Sequence, residues 1–226
     1  MKKYFVASGV ILVLFIALSI LISPRLNFNS SGNSSNANSP IVRADALAFL
    51  HINSSHYSMI NQLMILLTNY GREIFWPVAI ILLFVLGGWT GKKTAVVIAL
   101  SMIVLLPIGA IAKDAVARPR PIIPKSDYLI GTDSEFAFPS GHALIVSAGA
   151  TVALLLFNNT PRKLLISSLL AIEASLVCIS RVYVGGHYPL DVVGGILLGV
   201  GVSIIFVGID KSIEALLIPV KKLLKR

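Results

Sequence analysis

Six apolar runs of near membrane-crossing length divide this chain, at 4–23, 74–89, 94–112, 141–157, 164–179 and 190–209. A helix needs about 20 mostly apolar residues to cross a bilayer, and in lipid its backbone groups must be satisfied within the segment. The pattern predicts an all-α fold, a polytopic membrane bundle of six transmembrane helices. With 56% hydrophobic and 13% charged residues, the composition excludes an ordinary soluble domain. The chain divides into a first transmembrane helix at 1–23, an Asn/Ser-rich outer linker at 24–44, a core at 45–210 and a basic tail at 211–226. Leu47, Leu50, Ile60, Leu63, Met64 and Leu67 recur at helical spacing. They predict short amphipathic helices that lie at the outer interface or pack as connectors.

The net charge of +9 does not point to nucleic acid. Its basic residues flank the apolar runs and form no stripe interleaved with aromatics. If all six runs cross, Lys2, Lys3, Lys92, Lys93, Arg162, Lys163, Lys221, Lys222, Lys225 and Arg226 share one side. The positive-inside rule makes that side, with both termini, cytoplasmic. An integral protein of a bacterial or archaeal plasma membrane is the first expectation. Lys113, Arg118, Arg120 and Arg181 then lie outside, against the topological preference, which suggests another task for them. The first run reads as a signal peptide or a retained anchor, and Pro24-Arg25, a poor cleavage site, favours the anchor. Asn29, Asn33 and Asn53 open outer-side glycosylation sequons, a match that arises readily by chance in Asn/Ser-rich sequence. Cys178, the single cysteine, excludes an internal disulfide and reads as a packing residue.

Three polar blocks sit at outer ends of these runs. In the first, Lys113 is followed by Arg118-Pro119-Arg120-Pro121. The prolines end the helix and hold the cations in an extended stretch, where Arg offers a planar fork and Lys a point charge for phosphate oxygens. Taken alone, these cations could equally snorkel toward lipid headgroups. In the second block, Pro139-Ser140-Gly141-His142 opens a helix whose free N–H groups and dipole suit an anion. Ser140 caps the helix, binds phosphate, or does both. Gly141 permits close backbone approach, and His142 is placed to protonate a leaving oxygen. In the third, Ser180-Arg181 leads through Gly185-Gly186 to His187, with Asp191 one helical turn beyond. A carboxylate on one ring nitrogen leaves the other as nucleophile. Dipole compensation would explain Asp191, but not Arg181 and His187 beside it.

The blocks in this order, Lys-x6-Arg-Pro, Pro-Ser-Gly-His and Ser-Arg-x5-His-x3-Asp, resemble the type 2 phosphatidic acid phosphatase family of membrane lipid phosphatases at every fixed position. The resemblance covers roughly 45–209. It implies a histidine-phosphatase core shared with haloperoxidases and no metal or other cofactor. It also implies a phosphohistidine on His187, with Asp191 orienting it and His142 as general acid and then base. Lys113, Arg120, Ser140, Gly141 and Arg181 would bind the phosphoryl oxygens, and Arg118 would be an extra contact to a second phosphate. The expected partner is a lipid phosphate in the membrane. Resemblance to microbial members suggests an undecaprenyl or dolichyl diphosphate, with phosphatidylglycerophosphate and phosphatidate as competitors. Two rivals are a phosphotransferase passing the phosphoryl group to a hydroxyl, and an idle lipid-binding or transport protein. The trio His187, His142 and Asp191 argues against the second, since binding alone needs only the cations. Glu173, mid-span, is expected in a buried structural hydrogen bond, and His51 and His56 on the surface. Gly194, Gly195, Gly199 and Gly201 suggest close helix packing or room for a lipid tail.

Overall fold

The structure, a computed structural model, describes residues 1–24, 39–54, 58–122 and 136–223. Regular structure among them is helical apart from one isolated bridge, Pro119 with Phe136. In chain order the helices are α1 (Lys2–Ile22), α2 (Pro40–Asn53), α3 (Ser58–Tyr70), a π-helical turn (Gly71–Phe75) and α4 (Trp76–Leu86). They continue with α5 (Gly88–Val116), α6 (Gly141–Leu156), α7 (Pro161–Tyr183), α8 (Pro189–Gly208) and α9 (Asp210–Leu223). Five segments among the described residues are long and apolar enough to cross a bilayer: Lys2–Ile22, Met59–Leu86, Gly88–Val116, Pro161–Tyr183 and Pro189–Gly208. The remaining apolar run forms α6, only 16 residues long. It is buried in the bundle, with Ala143, Val146, Ala148, Val152 and Ala153 fully enclosed.

Two expectations need correction. The second span begins at Met59, not at residue 74, and joins α3, the π turn and α4 into one rod. Arg72 and Glu73 look like a span boundary in sequence, yet they pair with each other inside the rod, and pairing reduces the cost of carrying charge through it. Between α1 and that span, only α2 remains a separate helix among the described residues. Its inward stripe is also not the leucine stripe: Leu47 and Leu50 are exposed, while Asp45, Phe49 and Asn53, four residues apart, are buried. Asn53 donates to the Tyr183 carbonyl (3.1 Å), so its amide is engaged within the fold. The 24–44 linker from residue 25 to 38, with Asn29 and Asn33, lies outside the described residues, as does His56; His51 is exposed.

Small residues let the helices close on one another. A side chain at Gly194 would meet the Phe138 ring, and one at Gly199 the Leu144 carbonyl. A Cβ at Gly195 would lie 2.5 Å from the Ser140 carbonyl, and one at Gly201 2.8 Å from Leu12. All four glycines therefore serve close packing of α8 on α6, α1 and the loop before α6. Gly149 receives the Trp76 ring, which is wholly buried. Antiparallel α1 is tied to α8 by Ser8 Oγ donating to the Gly201 carbonyl (2.7 Å). At the opposite end from the polar blocks, Lys93 joins α5 to α9 through Asp210 (2.8 Å) and Glu214 (3.3 Å). Glu173 accepts from Trp76 Nε1 (3.0 Å), a hydrogen bond that is half-buried rather than buried as expected. Outward-facing Val6, Val13, Ile81, Ile103 and Leu165 are exposed, as a lipid-facing belt requires.

Candidate active site

Four helix ends meet at one end of the bundle. The α5 chain stops because Ala117 adopts a left-handed conformation (φ 51°), its N–H bonding back to the Lys113 carbonyl (2.8 Å). The following stretch runs antiparallel to residues 136–137, held by Ala137 N–H donating to the Arg118 carbonyl (2.8 Å). Lys113 Nζ donates to the Phe136 carbonyl (2.9 Å), and Arg120 to the Gly186 carbonyl (2.7 Å). These bonds aim the two cations at the junction between the α5–α6 and α7–α8 loops.

Ser140 is the N-cap of α6 and is fully buried. Its N–H donates to the Asp191 carbonyl (2.9 Å), which locks the N-terminus of α6 against the first turn of α8. The next N–H groups of α6 point into the same space, as a helix start dictates. From α7, Arg181 is 1% exposed and lies beside Gly186, where a Cβ would sit 3.2 Å from its Nη2. Gly185 takes a positive φ (86°) that makes the α7–α8 turn, and His187 N–H then donates to the Arg181 carbonyl (3.2 Å). Ser180, before Arg181, bonds to Thr68 of α3 (2.7 Å).

The predicted residues Lys113, Arg120, Ser140, Gly141, His142, Arg181, His187 and Asp191 are thus brought to one site. His187 is 2% exposed. Burial, and then the positive charges of Arg181, Arg120 and Lys113, hold its imidazole well below the ordinary histidine pKa. It is a neutral ring with a lone pair, surrounded by cations that attract an anion. Arg181 lies within electrostatic reach of both His187 and His142.

The carboxylate arrangement differs from expectation. Asp191 Oδ2 is 3.7 Å from His187 Nδ1, beyond a hydrogen bond. That oxygen accepts from the N–H of Tyr188, the N-cap of α8 (2.8 Å), as the third-position carboxylate of a capping box, while Oδ1 accepts from Arg118 (2.6 Å). Arg118 is no contact for a second phosphate. It is 4% exposed, and its other Nη donates to Asp45 (2.6 Å) while its guanidinium stacks on the Tyr188 ring. Asp45 in turn accepts from Leu190 N–H (2.9 Å), so α2 clamps the N-terminus of α8.

Sequence reasoning missed three site residues. Asp45 looked like one polar residue of an interfacial helix. Arg72 and Glu73 looked like the end of a run. The π turn carries them to α6: a Glu73 oxygen is 3.5 Å from His142 Nε2, and a Cβ at Gly141 would lie 3.3 Å from Arg72 Nη1. A charged pair inside an apolar stretch was the available signal.

Comparison with known proteins identifies the family and the fold. The PAP2 superfamily model matches residues 93–212. The chain is 34% identical over 220 residues to an undecaprenyl-diphosphatase of Sulfolobus acidocaldarius, covering 94% of each. It is 33% identical over 143 residues to sphingosine-1-phosphate phosphatase 1 of Rattus norvegicus, covering 62% of this chain and 32% of that one. In fold it is similar to the crystal structure of a transmembrane PAP2-type phosphatidylglycerolphosphate phosphatase from Bacillus subtilis. The TM-score is 0.67 and identity 23%, over 91% of this chain and 96% of the other.

Proposed function

From the premise that this chain belongs to the PAP2 superfamily and is a membrane lipid phosphatase, we propose that it hydrolyses a polyprenyl diphosphate to the monophosphate at the outer membrane surface. The observation that carries the chemistry is a neutral, buried His187 ringed by Arg181, Arg120 and Lys113 beside the α6 N-terminus. The diphosphate substrate is supported by the Sulfolobus undecaprenyl-diphosphatase, to which the likeness runs along nearly the whole chain.

The terminal phosphoryl group enters the cradle of Lys113, Arg120, Arg181, Ser140 and the N–H groups at Gly141. Fixed donors there stabilise charge that spreads over the equatorial oxygens in the transition state. His187 attacks phosphorus as the bridging P–O bond breaks, and a phosphohistidine forms. His142, taking up a proton when the anionic substrate joins Glu73 beside it, gives that proton to the departing oxygen, which leaves as the lipid monophosphate. His142 then takes a proton from water, the hydroxide oxygen attacks phosphorus, and the P–N bond breaks to release inorganic phosphate. Asp191 keeps negative charge near His187 and fixes the turn that carries it; closing its 3.7 Å gap when substrate binds would add the hydrogen bond. The outer location is supported by charge placement: Lys2, Lys3, Lys92, Lys93, Arg162 and Lys163 occupy the end of the bundle opposite the site. A second reading, a lipid monoester as substrate, is favoured by the likeness to the sphingosine-1-phosphate phosphatase.

The test is phosphate release by detergent-purified protein with EDTA present. Substrates are a polyprenyl diphosphate, phosphatidylglycerophosphate, phosphatidate and a water-soluble ester, each beside His187→Ala. Release from the diphosphate that survives EDTA and is lost in the variant is expected. Wild-type activity on monoesters alone would refute the diphosphate assignment, and turnover by His187→Ala would refute the nucleophile.

A further inference from the structure

We propose that Arg72, on the π-helical turn of the second span, binds the leaving-group phosphate and makes the site selective for diphosphates over monophosphates. The inference rests on the diphosphatase reading above and assigns a residue that none of the three motifs contains.

A π turn puts an extra residue into a helix and redirects the side chains on it. Here it interrupts an otherwise apolar rod, and the residues it carries are charged. An arginine at that depth is costly unless it has a partner or a task. Glu73 is its partner, and the Arg72–Glu73 pair stays partly open, with side chains 32% and 42% exposed. Neither is packed away as Arg118 is.

The position is specific. Arg72 Nη1 approaches Gly141, the first residue of α6, and Glu73 approaches Nε2 of His142 (3.5 Å). A Cβ at 141 would lie 3.3 Å from the guanidinium and crowd it, so the two groups are close neighbours. His187 and its three cations reach the phosphoryl group from the C-terminal ends of α5 and α7 and the loops that follow them. Arg72 comes instead from the second span, on the His142 side. In the proposed reaction His142 protonates the departing oxygen, so groups beside His142 border the leaving group.

When a diphosphate reacts, that leaving group is itself a phosphate monoester. It carries two further oxygens next to the bridging one and gains charge as the bond breaks. A guanidinium fork suits those oxygens. The leaving group of a simple monoester is an alkoxide with no such oxygens, so Arg72 has nothing to grip. Glu73 holds the fork in place and keeps the site from being permanently over-charged when empty. Sequence reading gave the second phosphate to Arg118; with Arg118 locked between Asp45 and Asp191, Arg72 is a cation outside the motifs that stands beside Gly141 and within electrostatic reach of His142.

The experiment compares farnesyl diphosphate with farnesyl monophosphate, which share a tail and differ by one phosphate. kcat/KM is measured for wild type, Arg72→Gln and Arg72→Lys in detergent, with thermal unfolding recorded for each. Loss of one charge-assisted contact to a transition-state oxygen is expected to lower the diphosphate-to-monophosphate ratio about ten- to a hundredfold in Arg72→Gln. Arg72→Lys is expected to recover part of that ratio, because a point charge remains. A ratio unchanged in Arg72→Gln would overturn the inference, and so would an equal fall on both substrates. A wild-type enzyme with no preference for the diphosphate would instead overturn the diphosphatase reading on which it rests.

Discussion

Replacing Arg118 by leucine removes the guanidinium that joins Asp45 of α2 to Asp191 of α8 through two 2.6 Å bonds. Both carboxylates are buried, Asp191 completely and Asp45 at 5% exposure. A charge-assisted hydrogen bond contributes about 1.5–3 kcal/mol. Breaking a buried ion pair by deleting one partner costs about 3–5 kcal/mol, because the remaining charge stays desolvated. Arg118→Leu strands two carboxylates, so its cost belongs near the top of that range. Asp45→Asn keeps Arg118 on Asp191 and an oxygen for Leu190 N–H, and is expected to cost about 1–3 kcal/mol. Since the two side chains share one bond, the double variant should fall short of the sum by about 1–2 kcal/mol. Unfolding free energies from SDS titration of detergent-purified protein, with phosphate release measured alongside, complete the cycle. Arg118→Leu should lose turnover together with stability, whereas Asp45→Asn should keep most turnover. An Arg118→Leu protein within about 1 kcal/mol of wild type would refute the clamp. So would a stable variant whose only defect is a raised KM for diphosphates, which would put Arg118 back on substrate.

Other expectations concern pH, packing and topology. His187 is held neutral in the folded protein, below the ordinary value of 6.5. Its contribution to stability is complete above pH 6.5 and is lost as pH falls toward the depressed folded value, because the unfolded chain binds a proton that the folded one excludes. Unfolding midpoints measured from pH 8 to 5 should fall in wild type and fall less steeply in His187→Gln, where His142 remains. Gly195→Ala would place a methyl 2.5 Å from the Ser140 carbonyl and 2.9 Å from the Ala143 Cβ, pushing the N-terminus of α6 off α8. It should cost about 1–3 kcal/mol and reduce kcat/KM through the displaced phosphate cradle, as thermal unfolding and phosphate release would report. A cysteine placed at Ser34, in the expected outer linker, should react with an impermeant thiol reagent on intact cells, since native Cys178 is buried. Failure to label it would reverse the outward assignment of the site.

Most of the apolar helices and the motif ends were legible in the chain because their causes are local, though the second span begins 15 residues earlier than its apolar run. Apolar length identifies a crossing helix, Pro119 and Pro121 keep one from continuing past its cap, and Ser140 and Pro189 start others. Those rules also bring Lys113, His142, Arg181 and His187 to one end of the bundle before any contact is known. What only the folded chain decided are pairings between distant residues. Arg118 meets Asp45 and Asp191, each 73 positions away, and no local pattern distinguishes such a clamp from a phosphate-binding arginine. The same holds for α2, whose inward face is set by Asp45, Phe49 and Asn53 because Arg118, Tyr188 and Tyr183 wait there for them. Arg72 and Glu73 read as the end of a span, since charge in lipid is costly; next to Gly141 and His142 the same two charges have partners. Periodicity and punctuation act within a few residues, so sequence carries them. Electrostatic pairing acts across whatever the fold brings together, so it is settled when the helices pack.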